Sequence, residues 1–368
     1  LAQPVVSLVD VPPMDNAQMD GFAVRCADVC EAGAFLPVSQ QVAAGHRAGP
    51  LQDKTAARIF TGASLPAGAD AVLMQEHAEC VQQGSQTWVR ILERPQPGQW
   101  IRRAGFDVRA DTHVLSAGCL LGAAQLALAA SAGVAKVDVW RRLRVALLCT
   151  GDELVEPGHA LMPGQIYNAN RFLLRALLTQ LGCEVLDYGP VPDTLSDTEQ
   201  ALRDAAGHAD LLLVSGGVSV GEHDLLRPAV QRLGQIDAWK VAMKPGKPLA
   251  FGSVLHVPFI ALPGNPVSAF VCFLLFASPF IRVCQGMAVT AMQPLRLRAD
   301  FAWPGNGQRR EFLRVRRNEQ GGLDLVPSQD SAALASAALA DGLVDCAAGQ
   351  AIGFGELVPY WPVADWMR

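Results

Sequence analysis

The chain has 368 residues, half of them hydrophobic, and its 30 basic and 35 acidic side chains leave a formal net charge of −5. This length is too great for one core and predicts several domains. The near balance of charge argues against a nucleic-acid-binding protein held by a general basic field. Nine cysteines without a Cys-x-x-Cys pair argue against structural zinc and favour reduced thiols in the cytoplasm.

The most apolar stretch, residues 267–281, predicts a buried helix and not a membrane anchor. It is too short to cross a bilayer, it contains Pro279, and it follows an apolar strand on which it could pack. No secretory signal is recognised, and the first residue is Leu1. We therefore expect a cytoplasmic protein without a membrane partner.

The first third of the chain predicts a small β-rich module. The step from Asp20 to Gly21 is typical of a turn that leads into a short strand, and short strands separated by turns are predicted over residues 58–110. Residues 122–133 are dominated by Ala and Leu, which predicts a helix that ends at Gly133.

Residues 143 to about 290 alternate apolar strands with amphipathic helices, which predicts a three-layer, mainly parallel α/β domain. One helix is predicted to begin near Asn168 or Asn170. The segment Ser196-Asp197-Thr198-Glu199 is typical of a capping box that opens the next helix. From Pro294 the pattern returns to short alternating runs, which predict a second β module.

The organising motif of the α/β region runs from Leu211 to Asp224 and predicts a buried strand, a glycine loop and a helix. Gly216 and Gly217 allow the backbone to turn through positive φ and to present N–H groups to an anion such as a phosphate. Asp224 can cap the following helix, which carries Pro228 in its first turn. The alternative is a plain tight connection between strand and helix.

Two other apolar strands end in comparable loops, Thr150-Gly151-Asp152-Glu153 and Pro263-Gly264-Asn265-Pro266. Asn265 is a natural N-cap and Pro266 a natural first helical residue. In open α/β sheets the ligand binds at the carboxyl ends of the strands, so we expect a phosphorylated ligand at these loops.

Three carboxylates, Glu153, Asp193 and Asp224, are predicted to project from the same edge of the sheet. Carboxylates beside a phosphate repel it unless a cation lies among them. Mg²⁺ suits this position because it takes oxygen ligands and is commonly shared between carboxylates and substrate phosphates. The alternative is three solvated loop acids.

The segment Lys244-Pro245-Gly246-Lys247-Pro248 predicts an anion site. Two prolines and a glycine stiffen the loop, so two ammonium groups are held close together although they repel. A bound anion would relieve that repulsion, whereas a solvated turn is the alternative.

Together these segments resemble the molybdopterin molybdenumtransferases, the bacterial MoeA type to which the gephyrin E domain also belongs. The resemblance covers nearly the whole chain and rests on seven segments that occur in order: Asp15-Asn16 through Met19-Asp20-Gly21-Phe22-Ala23; Thr61-Gly62-Ala63; Arg102-Arg103 with Gly105 and Asp107; Thr150 to Leu154; Ser215 to Gly221; Lys244 to Pro248; and Leu262 to Pro266. Phe106 departs from the family pattern, which usually has an acid before Asp107.

The resemblance implies a multidomain α/β and β fold. Its centre would be a three-layer α/β molybdopterin-binding domain of the MoaB and Mog type over 143–293. A small inserted β domain over 20–110 and a C-terminal β-barrel-like domain over 294–368 would accompany it. Residues 1–19 and 111–142 would form a linker and dimerisation region, incomplete because the family's N-terminal helical segment is expected before Leu1.

The resemblance also implies an activity in molybdenum cofactor biosynthesis. Molybdate and adenylylated molybdopterin would be the substrates, molybdenum would be inserted at the dithiolene, and AMP would be released with the help of Mg²⁺. The chain would act as a cytoplasmic homodimer, with a molybdopterin adenylyltransferase and molybdoenzyme acceptors as possible partners. Neither nucleic acid nor membrane is expected to bind.

The site residues expected on this basis form three groups. The catalytic group is Asp20, Asp107, Glu153, Asp193 and Asp224, and Glu153 and Asp224 are the expected metal ligands. The substrate-binding group is Thr150, Gly151, Ser215, Gly216, Gly217, Ser219, Lys244, Lys247, Pro263, Gly264, Asn265 and Pro266. The alternative from another class is a non-catalytic, gephyrin-like scaffold that holds a partner peptide in a surface groove.

Overall fold

The computed structural model describes residues 1–218, 225–288, 292–305 and 307–367, and the chain forms two compact units, Leu1–Val139 and Trp140–Arg368. One unit is built of β-sheet and the other combines an α/β sheet with a second β-sheet. The predicted multidomain α/β and β fold is therefore confirmed. The division into four domains is finer than these two units and stays a prediction.

The first unit is a β structure with one α-helix. Its elements are β1 (Val5–Val6), β2 (Asn16–Ala17), β3 (Gly21–Val24), β4 (Phe35–Val42), β5 (Ala56–Ile59), β6 (Ala71–Met74), β7 (Ala78–Gln83), β8 (Gln86–Ile91), β9 (Ile101–Arg102), β10 (His113–Leu115) and α1 (Ala123–Ser131). Six strands form one sheet in the order β6-β3-β5-β4-β8-β7. Helix α1 confirms the helix predicted at 122–133, and Gly133 follows it with a φ of +82°.

The α/β part of the second unit begins at β11. Its elements are β11 (Arg144–Thr150), β12 (Leu154–Val155), β13 (Ile166–Tyr167), α2 (Ala169–Gln180), β14 (Glu184–Val191), α3 (Leu195–His208), β15 (Leu211–Ser215), α4 (Leu226–Leu233), β16 (Gly234–Lys240), β17 (Met243–Lys244), β18 (Pro248–Val254), β19 (Val257–Leu262), α5 (Pro266–Cys272) and α6 (Ser278–Cys284). The main sheet has the order β14-β11-β15-β19-β18-β16. Its first four strands are parallel, and β18 runs antiparallel to both of its neighbours, β19 and β16.

Strand β15 shows why this domain has three layers. Leu211 and Leu213 face a core formed with α2, α5 and α6, whereas Leu212 and Val214 face a core formed with α3 and α4. Because successive residues of a strand point to opposite faces, a strand of continuous apolar residues must be covered on both sides. The predicted three-layer, mainly parallel domain is confirmed.

The helix starts agree with the sequence in one case and differ in another. Asn168 caps α2, and its side chain accepts a hydrogen bond from the backbone N–H of Arg171. The capping box predicted at Ser196 is wrong, because α3 begins two residues before Asp197 and its cap is Thr194. The hydroxyl of Thr194 accepts from the Asp197 N–H at 3.1 Å, so a cap with the same three-residue spacing forms two residues earlier in the chain.

Helices α5 and α6 are joined by a π-helical turn, Phe273–Ala277, into one run from Pro266 to Cys284. The run has 19 residues, and by length and composition alone it could cross a membrane. The prediction of a shorter helix over 267–281 was therefore wrong in length. Of its most apolar window, 61% is buried within the structure. Val267, Phe273 and Ile281 are fully buried in the core beneath the main sheet, as in a core helix.

The last part of the second unit is a separate β-sheet. Its elements are β20 (Leu295–Arg298), β21 (Arg310–Arg317), β22 (Leu323–Leu325), α7 (Leu334–Leu339), β23 (Gly342–Cys346) and β24 (Leu357–Pro362). The sheet has the order β17-β21-β23-β24-β20, and β22 pairs with β21. A bridge between Ala299 and Leu323 connects the end of β20 to β22, which curls the sheet towards a barrel. The predicted C-terminal β module is thereby confirmed, although β17, from the middle of the chain, forms its edge.

Candidate functional site

A cleft of about 940 Å³ lies at the carboxyl ends of the parallel strands in the second unit. Its walls come from the loops after β11, β14, β15 and β19 and from residues of the C-terminal part. A further wall is the segment 244–248, which joins β17 to β18 and is called the lysine loop below. This is the position at which open α/β sheets bind their ligands. The sequence predicted this location from three strand-ending loops.

The cleft brings together most of the residues predicted for the site. They are Thr150, Gly151, Glu153, Asp193, Ser215, Gly216, Gly217, Lys244, Lys247, Pro263, Gly264, Asn265 and Pro266. Ser219 and Asp224 lie outside the described residues. Asp20 and Asp107 belong to the first compact unit. The chemical roles of all these residues stay predictions.

The glycine loop after β15 is packed too closely to carry side chains. Gly216 has a φ of +96°, and a Cβ atom there would stand 2.6 Å from the carbonyl oxygen of Thr150. Its N–H donates to the carbonyl of Leu262 at 3.1 Å, which ties the ends of β15 and β19 together. A residue other than glycine would therefore have to displace the end of β11.

Asn170, in the first turn of α2, was not predicted as a site residue but lines the cleft. Its side-chain amide donates to the Ser215 hydroxyl at 2.9 Å and to the Gly264 carbonyl at 2.7 Å. These bonds fix the amide so that it joins two of the cleft loops. The carbonyl oxygen of the same side chain and the hydroxyl of Thr150 are buried without a hydrogen-bond partner among the described residues. Such atoms in a cleft are suited to a ligand or to bound water.

The lysine loop supplies cationic groups to the cleft, together with Arg309, which the sequence did not predict. Lys244 is partly neutralised, because its ammonium lies 3.2 Å from a carboxylate oxygen of the buried Glu311. Lys244 therefore has a carboxylate partner that the sequence did not predict, and the anion site itself stays a prediction. No ion pair of the described residues includes Lys247, so its charge is the more available to an anion.

Gly246 explains the shape of the lysine loop. Its φ is +107°, and a Cβ atom there would stand 2.3 Å from the Cys272 sulfur. Burial raises the pKa of the Cys272 thiol to about 12, so this thiol stays protonated at neutral pH. The loop is therefore held directly against the buried helix α5 by close packing.

Two acidic side chains of the cleft, Glu153 and Asp193, lie on the loops that follow β11 and β14. Asp152 and Asp193 hold each other, since each backbone N–H donates to the other's carboxylate, at 3.3 and 3.0 Å. A Cβ atom on Gly151 would stand 2.5 Å from a carboxylate oxygen of Glu153, so Glu153 folds back over this glycine. No cluster of three potential metal ligands occurs within the described ranges.

A loop of the C-terminal part, Ser328–Ser331, was missed by the sequence reasoning, and its residues Gln329, Asp330 and Ser331 line the cleft. Asn265 was predicted to cap α5, but its side chain makes no cap bond and donates to the Ser331 hydroxyl at 3.1 Å. The Val267 N–H donates to the Ser331 carbonyl at 3.1 Å and takes the place of a side-chain cap. No local pattern signals this pairing, because its partners are 64 to 66 positions apart.

The two predicted catalytic acids of the first unit differ in their surroundings. The carboxylate of Asp20 accepts from both the N–H and the hydroxyl of Thr61, each at 2.7 Å. These bonds lower the pKa of Asp20, which keeps it ionised at neutral pH. Asp107 is exposed, and its backbone N–H donates to the carbonyl of Val11 at 2.9 Å.

Three family models match successive parts of the chain. The model of the MoeA N-terminal region (domains I and II) matches residues 1–133, the model of a probable molybdopterin binding domain matches 146–283, and the model of the MoeA C-terminal region (domain IV) matches 296–363. The three models thus cover the chain almost from end to end, and two of them are models of MoeA regions.

Individual proteins agree with these models. The molybdopterin molybdenumtransferase of Haemophilus influenzae is 45% identical over 77% of this chain and 70% of its own length. That of Synechococcus elongatus is 37% identical over 91% of this chain and 84% of its own. The crystal structure of the molybdopterin biosynthesis MoeA protein from Pyrococcus horikosii is similar with a TM-score of 0.80 and 31% identity, over 98% of this chain and 90% of that one.

Proposed function

The chain belongs to the molybdopterin molybdenumtransferase family, which acts in molybdenum cofactor biosynthesis, and from this premise we propose that it inserts molybdenum into adenylylated molybdopterin. The substrates would be molybdate and the adenylylated pterin, and AMP would leave as the phosphoanhydride is cleaved. The observation that carries the proposal is one cleft in which the cationic Lys244, Lys247 and Arg309 lie with the acidic Glu153 and Asp193 beside a glycine loop.

The cationic residues are suited to hold the anionic substrates. Lys247 and Arg309, with the partly neutralised Lys244, offer N–H donors to the oxygens of molybdate or of the phosphoanhydride. The backbone at Gly216 and Gly217 lets a phosphate approach closely. The pterin and its phosphates would therefore lie along the carboxyl edge of the sheet.

The acidic residues are suited to a divalent cation. Glu153 and Asp193 offer hard oxygen ligands in the cleft, and Mg²⁺ commonly needs only one or two carboxylates when substrate phosphates complete its shell. Glu153 was predicted as a ligand together with Asp224, and Asp193 is a further candidate. A bound Mg²⁺ would neutralise the negative charge that develops as the anhydride is cleaved.

We further propose a cytoplasmic homodimer in which Asp20 and Asp107 of one subunit complete the site of the other. This assignment derives from the family resemblance and from the need for a second wall that keeps water from the anhydride. A molybdopterin adenylyltransferase and the molybdoenzymes that accept the cofactor are the proposed partners, and neither nucleic acid nor membrane is among them. None of the comparisons favours the peptide-binding scaffold, because the curated relatives are named for the transferase.

The proposal is tested by incubating the protein with adenylylated molybdopterin and following AMP by chromatography. We expect release only when molybdate and Mg²⁺ are both present, and a large loss of rate in Glu153→Gln, which keeps the size of the side chain but removes its charge. Equally fast release in the presence of a chelator would refute the proposed metal site. Absence of release from the wild-type protein under all conditions would refute the proposed activity.

A further inference from the structure

Arg314, on β21, is the one charged side chain that is completely buried among the described residues, with 0% exposure. Its guanidinium donates to the Ser336 hydroxyl at 2.8 Å and to the carbonyls of Ser328 and Asp330 at 3.2 Å each. Its hydrogen-bond partners in the structure are therefore hydroxyl and carbonyl oxygens. Ser328 and Asp330 belong to the cleft loop Ser328–Ser331, and Ser336 lies on helix α7, which follows the loop.

The cleft loop holds Arg314 in return. The side-chain amide of Gln329 donates to the Arg314 carbonyl at 2.9 Å and accepts from the Arg314 N–H at 2.9 Å, as a neighbouring strand would do. The side chain of the strand thus binds the backbone of the loop, while a side chain of the loop binds the backbone of the strand. Reciprocal bonds of this kind leave the loop little freedom relative to β21.

Burial of the Arg314 guanidinium is unfavourable in free energy, so an arginine at this position needs an explanation beyond packing. Burial of a cation is unfavourable, and it lowers the pKa of Arg314 to about 10, although the group stays charged at neutral pH. One of its terminal nitrogens, Nη1, has no hydrogen-bond partner among the described residues. An apolar side chain would fill the same space at lower cost, so packing alone does not account for an arginine here.

The far side of the loop reaches the first turn of α5. Ser331 accepts from the side chain of Asn265 and from the N–H of Val267, both at 3.1 Å. Gln329, Asp330, Ser331 and Asn265 all line the cleft. Hydrogen bonds therefore join Arg314 to the loop backbone, and the loop in turn to the start of α5 at the cleft wall.

We propose that Arg314 is a positioning residue that sets the Ser328–Ser331 loop and thereby the closure of the cleft between the C-terminal sheet and the start of α5. It acts through the loop backbone and does not touch substrate. The identity of the substrate in this inference rests on the proposed transferase activity, whereas the positioning itself does not.

The positioning is tested by hydrogen exchange, which does not depend on activity. Arg314→Lys keeps the charge but cannot reach the three oxygens together. We expect exchange at the Val267 amide, which bonds to Ser331, to accelerate about tenfold. Arg316→Lys is the matched control, since Arg316 lies on the same strand and is exposed, with only a long ion pair at 3.8 Å to Asp324. Unchanged exchange at Val267 in Arg314→Lys, or equal acceleration in the control, would overturn the proposal.

The effect on the cleft is tested by kinetics of AMP release. In Arg314→Lys we expect KM for the anionic substrates to rise about tenfold while kcat falls less than about threefold, because a displaced wall weakens binding before it alters chemistry. Ser336→Ala, which removes the acceptor of Nε together with the bond from the Ser336 hydroxyl to the Ala333 carbonyl, should show the same pattern more weakly and serves if Arg314→Lys does not fold. A loss of kcat with unchanged KM in both variants would overturn the role in the cleft. If the wild-type protein releases no AMP, the transferase proposal fails, and hydrogen exchange still decides the role of Arg314.

Discussion

At the scale of single residues, the two lysines of the cleft have different environments although their sequence context is nearly symmetrical. Lys244 is half exposed, and its carboxylate partner Glu311 also accepts from the indole N–H of Trp303 at 2.6 Å. Lys247 has no such partner among the described ion pairs. The two residues should therefore respond differently to the same substitution.

Lys247→Ala should weaken substrate binding by about 1–3 kcal/mol with little change in stability, because it removes a charge-assisted hydrogen bond to an anion. Lys244→Ala should also lower the free energy of unfolding by about 1–3 kcal/mol, because Glu311 is buried and would lose its cation. Chemical denaturation and KM measured on both variants would check this. Identical behaviour of the two would contradict the distinction drawn from the ion pair.

How far single residues could be predicted depends on how local their signal is. Gly216, Gly217 and the two lysines lie in short motifs whose chemistry is visible in the sequence. Asn170 was recognised only as a candidate helix cap, since its contacts to Ser215 and Gly264 join segments 45 and 94 positions apart. Arg314 gave no signal, because an arginine in an alternating strand is normally taken to face solvent.

At the scale of elements, the strand pattern was predictable, whereas the connections between strands and sheets were not. Continuous apolar runs identified β11, β15 and β19 because both faces of the sheet are covered. Strand β17 has only two residues, too few for any periodicity, and its parallel pairing with β21 depends on a segment more than 60 positions later. The start of α3 was misplaced because the sequence offers two capping residues, Thr194 and Ser196, and the structure uses Thr194.

One element-scale contact predicts a pH dependence. Asp210, just before β15, accepts two hydrogen bonds from Arg141, at 2.6 and 2.8 Å, and binds the N–H and guanidinium of Arg144 at the start of β11. The bonds from Arg141, followed by those from Arg144, hold the pKa of this carboxyl well below its usual range. The charged form is thus favoured in the folded state.

Asp210→Asn should lower the free energy of unfolding by about 1–3 kcal/mol at pH 7. Because the folded-state pKa is depressed, this stabilisation is present above the unfolded-state pKa of about 4 and is lost as pH falls below it. The difference between wild type and variant should therefore shrink between about pH 5 and pH 2. Denaturant titrations across this range check the sign, and a difference that grew in acid would contradict the assignment.

At the scale of the whole molecule, the proposed dimer makes a prediction about complementation. Asp20→Ala and Glu153→Ala should each be inactive alone, because one lesion lies in the first unit and the other in the cleft of the second. If subunits exchange, a mixed dimer has one site with both lesions and one site with neither. We expect activity to return on mixing, as measured by AMP release.

Sedimentation of each variant supplies the control for this experiment. Two variants that dimerise and exchange subunits but remain inactive together would place every essential group in one subunit. Asp20→Asn mixed with Glu153→Gln is a milder pair that keeps both side-chain shapes and should give the same result.

The path of the chain through β17 has a consequence for when the cleft can exist. The chain leaves the main sheet after β16 and forms β17 at the edge of the C-terminal sheet. It then returns through the lysine loop to the main sheet as β18. The partner strand β21 and Glu311 are synthesised long after the lysines that they hold. On the ribosome, the α/β sheet can form while its binding site still lacks a wall. A nascent or prematurely terminated chain that ends before β21 would therefore carry the glycine loop without a finished cleft, and substrate binding would begin only once translation has passed the C-terminal sheet.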